Sequence, residues 1–299
     1  MIMNQPTNPV GGLIRLRVDL AYDGTGFSGW AKQPGLRTVQ GELLSALERI
    51  FGEAADDFGL TVAGRTDAGV HARAQVAHLD LSEQQFARLG RHNQPTERLE
   101  KLAYRLNSLL PSDVRINQLT EAPAGFDARF AATSRRYVYR IADRASVKDP
   151  LEARFTLWVN QELDLPKMQQ AAQLLIGLHD FAAFCKPREF STTIRTLRLV
   201  AVRRVYGRGG IIEVELLADA FCHNMVRSIV GALIAVGDGR ADPVDIRERL
   251  ERANRIGSFK VVASHGLALT EIGYPADDQL AAQVEQAKAM RSLDDEEVL

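Results

Sequence analysis

Two cysteines in 299 residues, Cys185 and Cys222, are too few for a disulfide framework, and neither has the paired spacing of a zinc site. Each reads as a small buried hydrophobe, and their scarcity points to a reducing cytoplasm. No apolar run reaches the roughly eighteen residues that a membrane span needs. Residues 1–12 lack the apolar stretch of a signal peptide and, with Pro6 and Pro9, read as a short disordered lead. No H-E-x-x-H pattern is present, so His71, His78 and His223 read as structural. An overall basic excess is also missing, since the formal net charge is -1.

That sum hides a split. From Ala276 onward seven acids outnumber two bases, a net -5 that leaves residues 1–275 at +4. Arginines gather at Arg129, Arg135, Arg136 and Arg140, and again at Arg195, Arg198, Arg203, Arg204 and Arg208. Such clusters suit phosphate contacts or, more plainly, a solvated strand face. With 45% hydrophobic and 25% charged residues, the chain suits one large domain or two intimate ones.

Periodicity supplies the elements. Ile14, Leu16, Val18 and Leu20 alternate with charged residues as in a half-buried strand. Thr38 is placed to cap a helix carrying Leu43, Leu47, Ile50 and Phe51, with Gly52 as its stop. A second helix is expected from about Glu97 to Leu110, and a strand from Ser134 to Ile141. Met168, Ala172 and Leu175 mark a third helix. Leu197–Tyr206 and Ile211–Leu217 read as strands joined by a glycine-rich hairpin turn, and Phe221–Val236 reads as a fourth helix. The two halves repeat an order of elements, which implies an α+β fold with sheets backed by helices. The expected division is residues 1–12 as the lead, 13–145 as an N-terminal half, 146–275 as a C-terminal half and 276–299 as an acidic tail, which reads as a loose helix or a disordered segment. That tail would repel phosphates, so catalysis should survive its removal.

The stretch Ala63-Gly-Arg-Thr-Asp-Ala-Gly-Val-His-Ala72 places one carboxylate, Asp67, between Gly64 and Gly69, with Arg65 two residues before it. Flanking strand signals at Leu60–Ala63 and Gln75–Leu81 make this a strand–loop–strand. Glycines let such a loop push a side chain out of the chain path. A second glycine pattern, Gly24-Thr-Gly-Phe-Ser-Gly29, matches G-x-G-x-x-G, but Pro34-Gly35 follows where a dinucleotide site needs a helix. No nucleotide cofactor is implied.

The ten residues Ala63–Ala72 resemble the catalytic signature of the TruA-type tRNA pseudouridine synthases. The segments Tyr22–Trp30, Phe126–Tyr137, Ala220–Gly231, His265–Leu269 and Tyr274-Pro275 also resemble that family, in its order. The resemblance implies a pseudouridine synthase fold: two similar α/β halves with mainly antiparallel sheets backed by helices, and a central RNA-binding cleft. It makes Asp67 the essential carboxylate, Tyr137 the active-site tyrosine and Arg227 the active-site arginine. Arg65 would fill the space of an extruded base, and either Leu267 or Leu269 would line the uracil pocket. It further implies uridines 38, 39 and 40 of the tRNA anticodon arm as substrates, a homodimer, no cofactor and no metal. Residues 82–100 look longer and more polar than the family's usual connection.

These residue types suit the chemistry. Uracil leaves its ribose, turns and rejoins through carbon, with no redox change. Asp67 would attack as a nucleophile or remove a ribose proton. Two other readings stand beside this one, a non-catalytic RNA-binding protein and a hydrolase using Asp67. The intact set Asp67, Tyr137 and Arg227 speaks against the first, and the lack of a general base for water against the second.

Overall fold

The computed structural model describes residues 12–54, 58–90, 94–186, 192–252 and 259–288. The expected lead lies almost entirely outside them. The described residues form two compact units: those up to Thr133 together with 271–288, and Ser134–Thr270.

The first unit opens with strand β1 (Leu13–Tyr22), whose alternating burial matches its sequence pattern. Helix α1 (Val39–Phe51) starts where the Thr38 side chain accepts the amide of Gly41 and ends at Gly52, at φ 72°. Both caps were legible in the sequence. Strand β2 (Thr61–Val62) leads into the Asp67 loop, and β3 (His71–Ser82) leaves it. This second strand starts four residues earlier than expected, because it pairs antiparallel with β1 back to Tyr22↔Ala72.

The polar stretch after Ser82 is not a plain connection. It contains a short helix, α2 (Glu83–Arg88), closed by a capping box between Ser82 and Gln85. Helix α3 (Pro95–Leu109) buries Leu99, Leu102 and Leu106, and β4 (Val114–Glu121) pairs antiparallel with β1 on the side away from β3.

The second unit begins with β5 (Ser134–Ala142), with the two-residue β6 (Leu157–Trp158) parallel to its end. Helix α4 (Leu165–Gln173) buries the predicted Met168 and Ala172 but ends before Leu175, which is buried just beyond it. Strands β7 (Gly177–Asp180), β8 (Ile194–Val205) and β9 (Ile211–Ala218) continue the sheet in the order β5-β9-β8-β7, all antiparallel. Helix α5 (Met225–Gly237) is followed by α6 (Pro243–Arg252). Strand β10 (Leu267–Gly273) lies along β5, where the Thr270 hydroxyl donates to the Arg136 carbonyl.

Three expectations need correction here. First, Cys185 and Cys222 are not separate small hydrophobes but a disulfide, with Cα atoms 5.8 Å apart. Their segments run together where the Lys186 amide donates to the His223 carbonyl. The pairing removes the ground on which a reducing compartment was inferred.

Second, much of the clustered basic charge is committed within the second unit. Glu213 lies directly across from Arg140 on one side and Arg203 on the other, and it accepts from both, at 3.3 and 2.9 Å. Arg136 pairs with Glu215. Arg204 holds the fully buried Asp143 at 2.8 Å. That bond helps keep the Asp143 carboxyl well below its usual range, at about 2, against the opposing effect of burial. Of these four, Arg203 fits the solvated-face reading, whereas Arg140 is buried and Arg136 and Arg204 are largely covered, so their charge is held in ion pairs within the fold.

Third, the acidic tail is not simply appended. A turn at Asp277–Gln279 opens helix α7 (Leu280–Lys288), and Leu280 is 2% exposed. It packs in one buried cluster with Ala63, Val76, Phe126, Ala128 and Ala131. A side chain on Gly125 would press on the Ala281 backbone, so the helix lies close over that glycine. Residues 289–299 lie outside the described part.

Candidate active site

Asp67 sits half-exposed in a loop whose backbone is fixed on both flanks. The Ala63 amide donates to the Val76 carbonyl, which anchors the entry. The Thr66 carbonyl accepts from the Trp30 amide at 3.1 Å, and the Gly69 amide donates to the Phe27 carbonyl at 3.2 Å. The Val70 amide turns back to the Asp67 carbonyl. The segment Tyr22–Trp30 is therefore a cradle for the loop rather than a nucleotide site. Its 3-10 turn, Gly24–Gly26, does not open into a helix; the next helix is α1 at Val39. Gly29 (φ 96°) must lack a side chain, because a Cβ there would stand 2.9 Å from the Thr66 carbonyl oxygen. Arg65 is exposed.

The histidines are built into the scaffold. His71 Nδ1 accepts the Gly24 amide, and His78 Nδ1 accepts the Ala128 amide, each at 2.9 Å. Burial, helped by the nearby Arg15 charge, pushes the His78 imidazole down to about 4, so it is neutral at ordinary pH. Among the described residues no group of three or more His, Cys, Asp or Glu is placed to hold a metal.

Tyr137, Arg227, Leu267 and Leu269 belong to the other unit. Tyr137 lies on β5, 8% exposed, with its ring edge-on to Phe221 at 5.2 Å. Arg227 lies in the first turn of α5, which begins at Met225 and not at Phe221 as expected. Asn224, at φ 67°, is the one non-glycine residue with positive φ among those described, and this conformation ends the preceding loop. The guanidinium of Arg227 donates from Nε to the Val262 carbonyl at 2.7 Å and from Nη1 to the Asn224 side chain at 3.3 Å. These bonds take two of its five donors and fix its plane. Tyr139 lies within reach of the Arg227 charge; burial raises its phenol, and its hydroxyl donates to the Ala263 carbonyl. Leu267 and Leu269 share one face of β10 and are both buried, at 4% and 0% exposure. Burial does not separate them.

The segment Lys260–Ala263 is what steadies Arg227, and Gly231 admits it. A Cβ at Gly231 would overlap the Lys260 carbonyl oxygen. Gly231→Ala is expected to destabilise the protein by roughly 1–3 kcal/mol through overpacking. It should also lower activity more than its melting temperature alone accounts for. Thermal melts beside single-turnover rates check this; wild-type values for both would mean the segment yields freely.

Sequence reasoning passed over three polar residues around the Asp67 loop: Tyr22, Thr66 and Gln75. The one signal was Gln75 itself, a polar residue at a position that turns out to be 0% exposed.

A family model described as tRNA pseudouridine synthase matches residues 171–275. The chain is 49% identical over 284 residues to tRNA pseudouridine synthase A of Leifsonia xyli, covering 93% of this chain and 98% of that one. It is 51% identical over 283 residues to the protein of the same name from Streptomyces avermitilis, covering 94% and 95%. A third relative of that name, from Streptomyces griseus, is 50% identical over 282 residues, covering 94% and 95%. With such identity over nearly the full length of both partners in each comparison, the chain belongs to the tRNA pseudouridine synthase A family.

Proposed function

We propose that this protein isomerises uridine to pseudouridine at positions 38, 39 and 40 of the tRNA anticodon arm, with Asp67 as the catalytic carboxylate. One observation carries the reading best. A half-exposed carboxylate stands on a loop whose flanks are hydrogen-bonded to a rigid cradle, so its position is set before substrate arrives. Family membership supports the reaction class.

The chemistry proceeds from the residues. The glycosidic bond is hidden in the RNA stack, so the base is flipped out first, at a cost of a few kcal/mol. Arg65, exposed beside the loop, occupies the vacated space. The ring of Tyr137 stacks on the extruded base, and Leu267 or Leu269 lines its pocket. Asp67, ionised, either attacks the sugar or removes a ribose proton. The detached uracil rotates and bonds through carbon, and the proton left on that carbon passes to a base, for which the Tyr137 hydroxyl is suited. The family resemblance makes Arg227 the active-site arginine, a cation of the kind that favours the ionised form of a carboxylate. The enzyme acts as a homodimer, which grips tRNA across both subunits.

The deciding experiment is mass mapping of pseudouridine in an unmodified tRNA transcript incubated with the protein alone. Pseudouridine at 38–40 is expected; its formation only elsewhere, or not at all, would end the assignment. Tyr137 offers a finer test. Tyr137→Phe should keep binding and slow the late deprotonation. Tyr137→Leu should also lose roughly 1–3 kcal/mol of base stacking. Both are read by single-turnover kinetics and tRNA affinity at one fixed salt concentration. If both variants match wild type, Tyr137 is a core tyrosine only.

A further inference from the structure

Three neutral side chains from separate parts of the first unit meet beneath the Asp67 loop. Gln75 comes from β3, Tyr22 from the end of β1, and Thr66 from the loop itself, next to Asp67. They are 0%, 5% and 7% exposed. The Gln75 amide nitrogen donates to the Gly64 carbonyl at 2.9 Å and to the Tyr22 hydroxyl at 3.1 Å. Its oxygen accepts the Val76 amide, which fixes which way the amide faces. The Tyr22 and Thr66 hydroxyls bond each other at 2.7 Å. The network thus grips the loop three residues and one residue before Asp67.

Resting on the reading of Asp67 as the catalytic carboxylate, we propose that Tyr22, Thr66 and Gln75 are positioning residues that fix where this carboxylate stands. They act through the loop and not on substrate. The network carries no charge, and burial lifts the Tyr22 phenol to about 12, so it keeps its proton across the working range. A charged group in the same place would alter the ionisation of Asp67 as well as its position. A neutral one sets geometry and leaves the charge to groups elsewhere. The second clamp, formed by Phe27, Gly29 and Trp30 against Thr66 and Gly69, holds the outer side of the same loop. The loop is therefore bonded to β1 and β3 from beneath and to the cradle from above. Removing the lower set alone should loosen the loop without unfolding it.

The test uses Tyr22→Phe, which deletes one hydroxyl, and Thr66→Val, which deletes another at nearly constant volume. Thr66→Ser is the conservative variant that retains the bond. Single-turnover rates are measured with enzyme in saturating excess over tRNA, so that a smaller folded fraction does not change the rate constant. Tyr22→Phe and Thr66→Val are each expected to lower that rate, by up to the order of a hundredfold for a displaced catalytic group. Their tRNA affinity should be unchanged, and Thr66→Ser should stay near wild type. The double variant should be no slower than the slower single one, because both break the same bond.

Wild-type rates in both single variants would overturn the proposal, as would a loss confined to affinity. Asp67→Asn run in parallel separates the two levels. If it is inactive while both network variants run at the wild-type rate, only the positioning role falls. If Asp67→Asn still turns over, the catalytic reading falls and takes the positioning role with it.

Discussion

Asp67→Asn should abolish pseudouridine formation while tRNA still binds. The amide preserves the shape of the side chain and removes its charge, so it neither attacks the sugar nor takes a ribose proton. The bonds that set the loop run through the backbone of Ala63, Gly64, Thr66, Asp67 and Gly69 and through the Thr66 hydroxyl, and they survive the change. Tyr137 and Arg227 lie in the other compact unit and are unaltered. Losing a central catalytic group normally costs several orders of magnitude in kcat. The measurement is product formation under single turnover beside tRNA affinity at the same salt. Turnover above about one per cent of wild type would remove Asp67 from the chemistry.

Deleting residues 276–299 should cost stability, and with it activity. Charge alone argues the opposite, since the segment is net -5 and its loss ought to favour tRNA. Burial outweighs charge here. Leu280 belongs to the same buried cluster as Ala63, at the entry of the Asp67 loop, and Val76, in the strand that leaves it. Losing one fully buried leucine costs about 2–5 kcal/mol. That is a large share of the 5–15 kcal/mol typical of a whole domain. The truncated protein should melt at a markedly lower temperature, with activity falling as it unfolds. Leu280→Ala should reproduce much of the loss without touching an acid. A truncated protein that melts and reacts like wild type would return the tail to the role of dispensable charge.

The sequence was legible where structure depends on neighbours along the chain. The Thr38 and Gly52 caps mark α1 because capping is local, and alternation marks β1 for the same reason. Reading failed where partners are distant or where two local signals conflict. The periodicity of Phe221, Met225 and Val226 continues through a loop that Asn224 holds outside helical geometry, so the helix was expected to begin too early. No spacing rule joins Cys185 to Cys222 across 37 residues. The arginine clusters could not be seen to meet Glu213 and Glu215 until the register of β5, β9 and β8 was known. In the tail, Leu280 and Val284 stand one helical turn apart, but the surrounding acids masked so short an apolar face. The aspartate loop itself was plain from its glycines. The support beneath it was not, because a lone buried glutamine carries little meaning until its partners are known.

The unit that carries Asp67 is assembled from two stretches of chain, with all of Ser134–Thr270 between them. On the ribosome these stretches appear far apart in time. The intervening unit is contiguous and can fold as it emerges, whereas the core around Ala63 and Val76 waits for Leu280. Loop closure over so long a separation also slows that last step. The Tyr22, Thr66 and Gln75 bonds need only the first stretch, so the late arrival is the apolar packing of Leu280 against Ala63 and Val76, at the entry and exit of the aspartate loop.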